Sequence, residues 1–291
     1  MLMKRLFALF GVILFLLSGC GAQQECATIA ATTLPVYEFT LRLCEGTDIT
    51  VTRLVTEPVS CLHDYALNVS QVRAVEAAEL VVISGAGLED FMGDLLENRS
   101  VIDCSVDVPL VDCAEAHHHD HDHHHHESDS HIWLSPKNAK IMAANICKGL
   151  CARFPRYSAT FEANLTHLLA ELDALQAYGE ETLSQLPCRE LVTFHDGFSY
   201  FADAFDLTIL EAVEEESGSE ASAQELKHLI GIVREHNLPA IFIETNGSAS
   251  AAAVIARETG VSIGTLDMAM SGDSYFEAMY HNINTIKEVL G

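Results

Sequence analysis

Between Ser158 and Leu186 the chain has few helix breakers, and Phe161, Leu165, Leu168, Leu169, Leu172, Leu175 and Tyr178 recur at three- and four-residue steps. That spacing predicts one amphipathic helix of about 28 residues, roughly 40 Å long at 1.5 Å per residue. Its place in mid-chain makes it a candidate spine joining two lobes.

The flanking segments support two lobes. On the N-terminal side, strands are expected at 27–33, 49–55, 79–84, 101–103 and 106–111. Helices are expected at 35–43, 70–78, 88–96 and 136–154. On the C-terminal side, strands at 191–194, 208–213, 240–244 and 261–266 alternate with helices at 198–205, 222–236, 248–259 and 274–290. Alternation of this kind implies an α/β fold with mostly parallel sheets flanked by helices. The expected layout is a signal segment 1–20, a tether 21–26, a first lobe 27–157, a linking helix 158–187 and a second lobe 188–291.

Met1-Leu-Met-Lys4-Arg5 is a short basic start, followed by an uncharged apolar run from Leu6 to Leu17. The run is short for a bilayer span and has the layout of a secretory signal. Its ending, Leu17-Ser18-Gly19-Cys20, resembles a bacterial lipobox, which implies cleavage before Cys20 and lipidation of that cysteine. The expected location is therefore extracytoplasmic and lipid-anchored. Export also bears on the nine cysteines. With Cys20 lipidated, eight remain: Cys26, Cys44, Cys61, Cys104, Cys113, Cys147, Cys151 and Cys188. An even remainder suggests disulfides; free buried thiols in an anaerobic host are the alternative. Cys147 and Cys151 lie one helical turn apart and form a candidate thiol pair, although helix geometry strains such a bridge.

Sixteen Lys and Arg stand against 42 Asp and Glu, a net charge of -26. Nucleic acid is an unsuitable partner for this balance, since its phosphates need cations to displace counterions. An acidic surface suits solubility and raises the local cation concentration.

Eight of the 15 histidines sit in ten residues: His117, His118, His119, His121, His123, His124, His125 and His126. The tract has almost no apolar surface to bury, so a solvated loop over 117–130 is expected. Purification tags are terminal and unbroken, whereas this tract is internal and interrupted by Asp120 and Asp122. Neutral imidazoles are ligands for borderline metals, so weak auxiliary metal binding is the expected property.

Four further polar residues end strands or occupy the loops after them: His63, His131, His195 and Asp267. Ligands of open α/β sheets bind beyond the carboxyl ends of strands. Two of the four fall in each half, so a site between lobes would gather them. Three imidazoles and a carboxylate suit tetrahedral zinc, whereas manganese favours more oxygen. Pattern alone leaves open a hydrogen-bonding role for each histidine and a capping role for Asp267.

Thr33-Leu-Pro35, Leu62-His63-Asp-Tyr65, His131-Ile-Trp-Leu-Ser-Pro136, Thr193-Phe-His195-Asp-Gly-Phe198, Phe242-Ile-Glu244 and Leu266-Asp267 occur in one order along the chain. In that order they resemble the zinc- and manganese-binding lipoproteins of bacterial ABC importers, the cluster A-I solute-binding family. The acidic histidine loop before His131 resembles its zinc branch. The resemblance implies two lobes joined by a rigid long helix, with metal between them. It further implies His63, His131, His195 and Asp267 as ligands, and a permease and ATPase as partners of a monomeric receptor. Zn2+ is the expected cargo and Mn2+ the alternative. Leu62 stands where the family usually has proline, and Cys61 lies two residues from His63. Glu244 matches a recurrent family position and is not counted as a ligand.

Three other functions are weighed. A zinc hydrolase needs an open coordination position and a base, for which Glu244 or Asp196 would be cast, but His-Glu-x-x-His is absent. A surface adhesin would be an added role. A stand-alone zinc buffer would lack a transporter.

Overall fold

The computed structural model describes residues 27–59, 62, 65–111, 129–213 and 221–291. Two parallel four-stranded sheets form the two lobes. The first runs β2-β1-β3-β4, with β1 at Thr28–Ala31, β2 at Thr50–Arg53, β3 at Leu80–Ile83 and β4 at Val101–Asp103. The second runs β6-β5-β7-β8, with β5 at Glu190–Thr193, β6 at Thr208–Ala212, β7 at Ala240–Glu244 and β8 at Ser262–Leu266. The two sheets repeat one strand order, so each places its first strand beside its third. The central strands are apolar and buried on both faces, as in β1 (Ile29, Ala30, Ala31) and β7 (Ala240, Ile241, Phe242). This is what helix-covered parallel sheets require.

Several helices begin at capping residues or at proline. Helix α1 (Leu34–Leu43) has proline in its first turn. Helix α2 (Val69–Ala77) starts with an Asn68/Gln71 capping box. Ser135 caps α3 (Pro136–Arg153), whose first residue is proline. The spine is α4, Ser158–Leu183, 26 residues long. Helix α5 (Ser199–Ala204) follows β5. Helix α6 (Ala223–Glu235) carries a Ser222/Glu225 capping box. Helix α7 (Ser250–Thr259) ends at Gly260, whose φ of 83° is the left-handed conformation glycine adopts without strain. Helix α8 (Tyr275–Leu290) closes the chain.

Helix α4 packs on α1 and α3 from the first lobe and on α8 from the second. Phe161, Leu168, Leu172 and Leu175 supply its buried stripe. Tyr178 departs from the expected stripe: it is exposed, stacks edge-on with Tyr280 and donates a hydrogen bond to Asn284.

Two sequence expectations fail in the first lobe. Residues 88–96 do not form an α-helix; Asp90–Leu95 is a 3-10 segment broken at Gly93, whose φ of 37° no helix accepts. Residues 106–111 do not form a strand, because Asp107 takes φ 61° in the turn after β4, and Val106, Leu110 and Val111 are left exposed. Disulfide formation also fails among the described residues: Cys44, Cys104, Cys147, Cys151 and Cys188 are free thiols. Cys26, Cys61 and Cys113 lie outside the described residues, as do the signal segment with Cys20 and the histidine tract. No described helix is long and apolar enough to cross a membrane.

Candidate metal centre

His131 is set at a bend by its own neighbour. The Asp129 Oδ1 atom accepts both the His131 backbone N–H and the ring Nδ1–H, each at 2.8 Å. Immediately after, Ile132–Leu134 makes a 3-10 turn with all three side chains buried, and Pro136 starts α3. The imidazole is therefore held from behind and from below. With its Nδ1 hydrogen committed to Asp129, the lone pair resides on Nε2. Burial pushes the Asp129 carboxyl up, but the hydrogen bonds from His131 and Ser199 outweigh it and hold the group below the usual carboxylate range.

His195, in the other lobe, follows β5. Its Nδ1 stands 3.3 Å from Oε1 of Glu244, which ends β7 and is buried. The other nitrogens of the two rings meet: His195 Nε2 lies 3.4 Å from His131 Nε2, with the ring planes at 86°. Two nitrogens bound at 2.0–2.1 Å to a tetrahedral ion stand about 3.3–3.4 Å apart. The pair is thus spaced for one metal ion. Gly197 forms the floor beneath it. A β-carbon there would come within 2.6 Å of Met268 Cε, 2.8 Å of His195 Cδ2 and 3.0 Å of His131 Cε1, so a side chain at 197 would push the rings out of place.

Asp267 follows β8 and is pinned from α8. Its N–H donates to Asn282 Oδ1 and its carbonyl accepts from Asn282 Nδ2, both at 2.7 Å. Its Oδ1 accepts the Ala269 N–H at 2.7 Å. The next residue, Met268, meets the histidine pair's supports: its carbonyl accepts the Trp133 indole N–H at 2.7 Å and its methyl lies over Gly197. Among the described residues no group of three or more His, Cys, Asp or Glu side chains is placed to hold a metal ion.

The model of one protein family, the zinc-uptake complex component A periplasmic (ZnuA), matches residues 29–289. The chain belongs to the ZnuA family. It is 30% identical to the zinc-binding lipoprotein AdcA of Streptococcus pneumoniae serotype 4, over 99% of this chain and 60% of that one. It is 26% identical to the manganese-binding lipoprotein MntA of Halalkalibacterium halodurans over 94% of each chain. A crystal structure of ZnuA superposes with a TM-score of 0.78 at 30% identity, covering 91% of this chain and 100% of that one.

Of the four expected ligands, the structure brings His131 and His195 together and places Asp267 at a strand end leading to their supports. His63 lies outside the described residues, although the same motif contributes Leu62 to the core and Tyr65 to a hydrogen bond with Glu57. The ends of the segment carrying the histidine tract are side by side: the Asp129 N–H donates to the Val111 carbonyl at 3.0 Å, and the Tyr200 hydroxyl bridges the two residues. Sequence reasoning missed Asp129, Gly197 and the role of Glu244. A signal existed for the first, since Asp129 stands two residues before His131. In the sequence Glu244 stands as a recurrent family position and as a base for the hydrolase alternative, and its pairing with His195 becomes visible only in the fold.

Proposed function

We propose that this chain is an extracytoplasmic receptor that captures Zn2+ between its lobes and delivers it to the permease and ATPase of an ABC importer. The lobes comprise 27–157 and 188–291, linked across 158–187. His131 and His195 supply two ligands through Nε2, and His63 and Asp267 complete a four-coordinate set. The observation that carries this reading is the 3.4 Å between two Nε2 atoms, each on a ring whose Nδ1 faces a buried carboxylate. A carboxylate behind an imidazole fixes its tautomer and raises its basicity as a ligand.

Zinc is preferred over manganese because three of the four proposed donors are nitrogen. A hydrolytic role for Glu244 is disfavoured by its position, since its Oε1 faces the back of His195 rather than an open coordination position. The histidine tract, rooted at Asp129 and so two residues from His131, acts as a weak capture arm that raises local zinc at the cleft. Lipid on Cys20 holds the monomeric receptor at the outer face of the membrane.

The test is a competitive titration of residues 21–291 with zinc and manganese, with and without residues 117–126. One tight zinc per chain that survives the deletion, with weaker zinc lost, supports the reading. Loss of all zinc with the tract would make the protein a buffer. Manganese prevailing at the tight site would change the cargo and keep the fold.

A further inference from the structure

The segment between Asp267 and Tyr275 crosses from the second lobe onto the first, and the first lobe grips it repeatedly. The Met268 carbonyl accepts from the Trp133 indole at 2.7 Å, the Met270 carbonyl from the Leu34 N–H at 3.3 Å, and the Gly272 carbonyl from Arg53 at 2.7 Å. The last grip is a carboxylate. Glu38, on α1 and 7% exposed, accepts the Tyr275 N–H at 2.6 Å and the Ser274 hydroxyl at 3.4 Å, at the first residue of α8. A negative charge there complements the helix dipole, and its hydrogen bonds are charge-assisted. Arg42 holds the same carboxylate through Nε and Nη2 at 3.1 and 2.9 Å. It also reaches Glu171 on α4 at 2.8 Å and covers the Phe276 ring at 4.6 Å.

Helix α8 makes contacts near His131 and at Asp267. The Tyr275 hydroxyl donates to the Trp133 carbonyl at 2.9 Å, two residues from His131. Further along the same helix, Asn282 pins the backbone of Asp267. Glu38 therefore fixes the start of the helix that pins the backbone of the proposed aspartate ligand.

We propose that Glu38 is a remote positioning residue for the metal centre, acting through the start of α8 on Asp267. The proposal rests on the reading of Asp267 as a ligand. A plain brace between lobes would lower stability alone, whereas a positioning residue also lowers zinc affinity, and does so only while Asp267 is present.

The experiment is a double-mutant cycle on zinc affinity in the full lipid-free chain, using Glu38→Gln and Asp267→Ala, with thermal unfolding of each apo variant alongside. Glu38→Ala is run as the stronger variant where it folds. The expected result is about a tenfold loss of affinity for Glu38→Gln, in the range of outer-shell changes, and less than about twofold in the Asp267→Ala background. Equal losses in both backgrounds, or lowered stability with unchanged affinity, would overturn the positioning role. Asp267→Ala that by itself leaves zinc affinity unchanged would instead sink the ligand assignment, and the positioning role with it.

Discussion

The two sheets repeat one strand order, yet their mouths are built to opposite ends. In the first lobe, the buried carboxylate beyond β3 is Glu89. Oε1 accepts the Thr32 hydroxyl at 2.6 Å and the Ser84 N–H at 2.8 Å, while Oε2 accepts the Gly85 N–H at 2.9 Å. Every one of those donors belongs to the protein, so the network closes on itself and ties the ends of β1 and β3. In the second lobe, the carboxylate at the end of β7 is Glu244, and its Oε1 faces an imidazole whose other nitrogen points at His131. That network has an outlet. A buried carboxylate surrounded by backbone and hydroxyl donors stabilises a fold; one placed behind a histidine prepares a ligand.

The largest expected effect breaks the second mouth. His195→Ala and His131→Ala should each weaken zinc binding by about 1,000-fold or more, roughly 4 kcal/mol, as loss of a direct ligand must exceed the 10–100-fold of outer-shell changes. Competition with a chelator of known affinity reads this. Loss of less than about tenfold would remove the pair from the centre.

Next comes the first mouth, read by pH. Burial pushes the Glu89 carboxyl up to about 7, against the hydrogen bonds that favour its charge. A folded pKa above the unfolded value means the folded state binds the extra proton. The stability so gained is fully present below the ordinary carboxylate pKa of about 4.3 and is lost as pH rises through about 7. The contribution at stake is on the order of 3 kcal/mol. Urea unfolding of the apo protein at pH 4 and pH 8 should show the stability advantage of wild type over Glu89→Gln shrinking as pH rises. A pH-independent difference would show that Glu89 does not titrate in this window.

Asp129→Asn and Glu244→Gln sharpen the contrast. Each should weaken zinc by about 10–100-fold, while Glu89→Gln leaves zinc affinity within about twofold. Parallel titrations of the three variants check this; an equal effect from Glu89→Gln would dissolve the distinction between a closed and an open mouth. The smallest effect is that of Thr32→Val, which keeps shape and deletes one donor to Glu89. It should lower apo stability by about 1–2 kcal/mol without changing metal stoichiometry.

Much of this was legible in the sequence. The βα alternation and the long helix followed from apolar spacing, whereas pattern alone left the roles of His131 and His195 open and only the family resemblance singled them out as ligands. The misses share one cause. Residues 88–96 have helical apolar spacing, but Gly93 takes a backbone conformation that spacing does not encode. Residues 106–111 alternate like a strand but follow a left-handed turn at Asp107. Glu89, Glu244 and Asp129 are each ordinary acids in the sequence. The roles of Glu89 and Glu244 come from burial and from partners that the folded sheet brings within 2.6–3.3 Å, and that of Asp129 from burial beside His131, two residues along the chain.

The most direct test of the central claim is zinc K-edge X-ray absorption on the lipid-free chain without residues 117–126, loaded with one equivalent of zinc. The account predicts four nitrogen or oxygen neighbours near 2.0–2.1 Å with the outer-shell scattering of three imidazoles, falling to two in His195→Ala. Sulfur at about 2.3 Å would contradict it and point instead to a cysteine ligand such as Cys61.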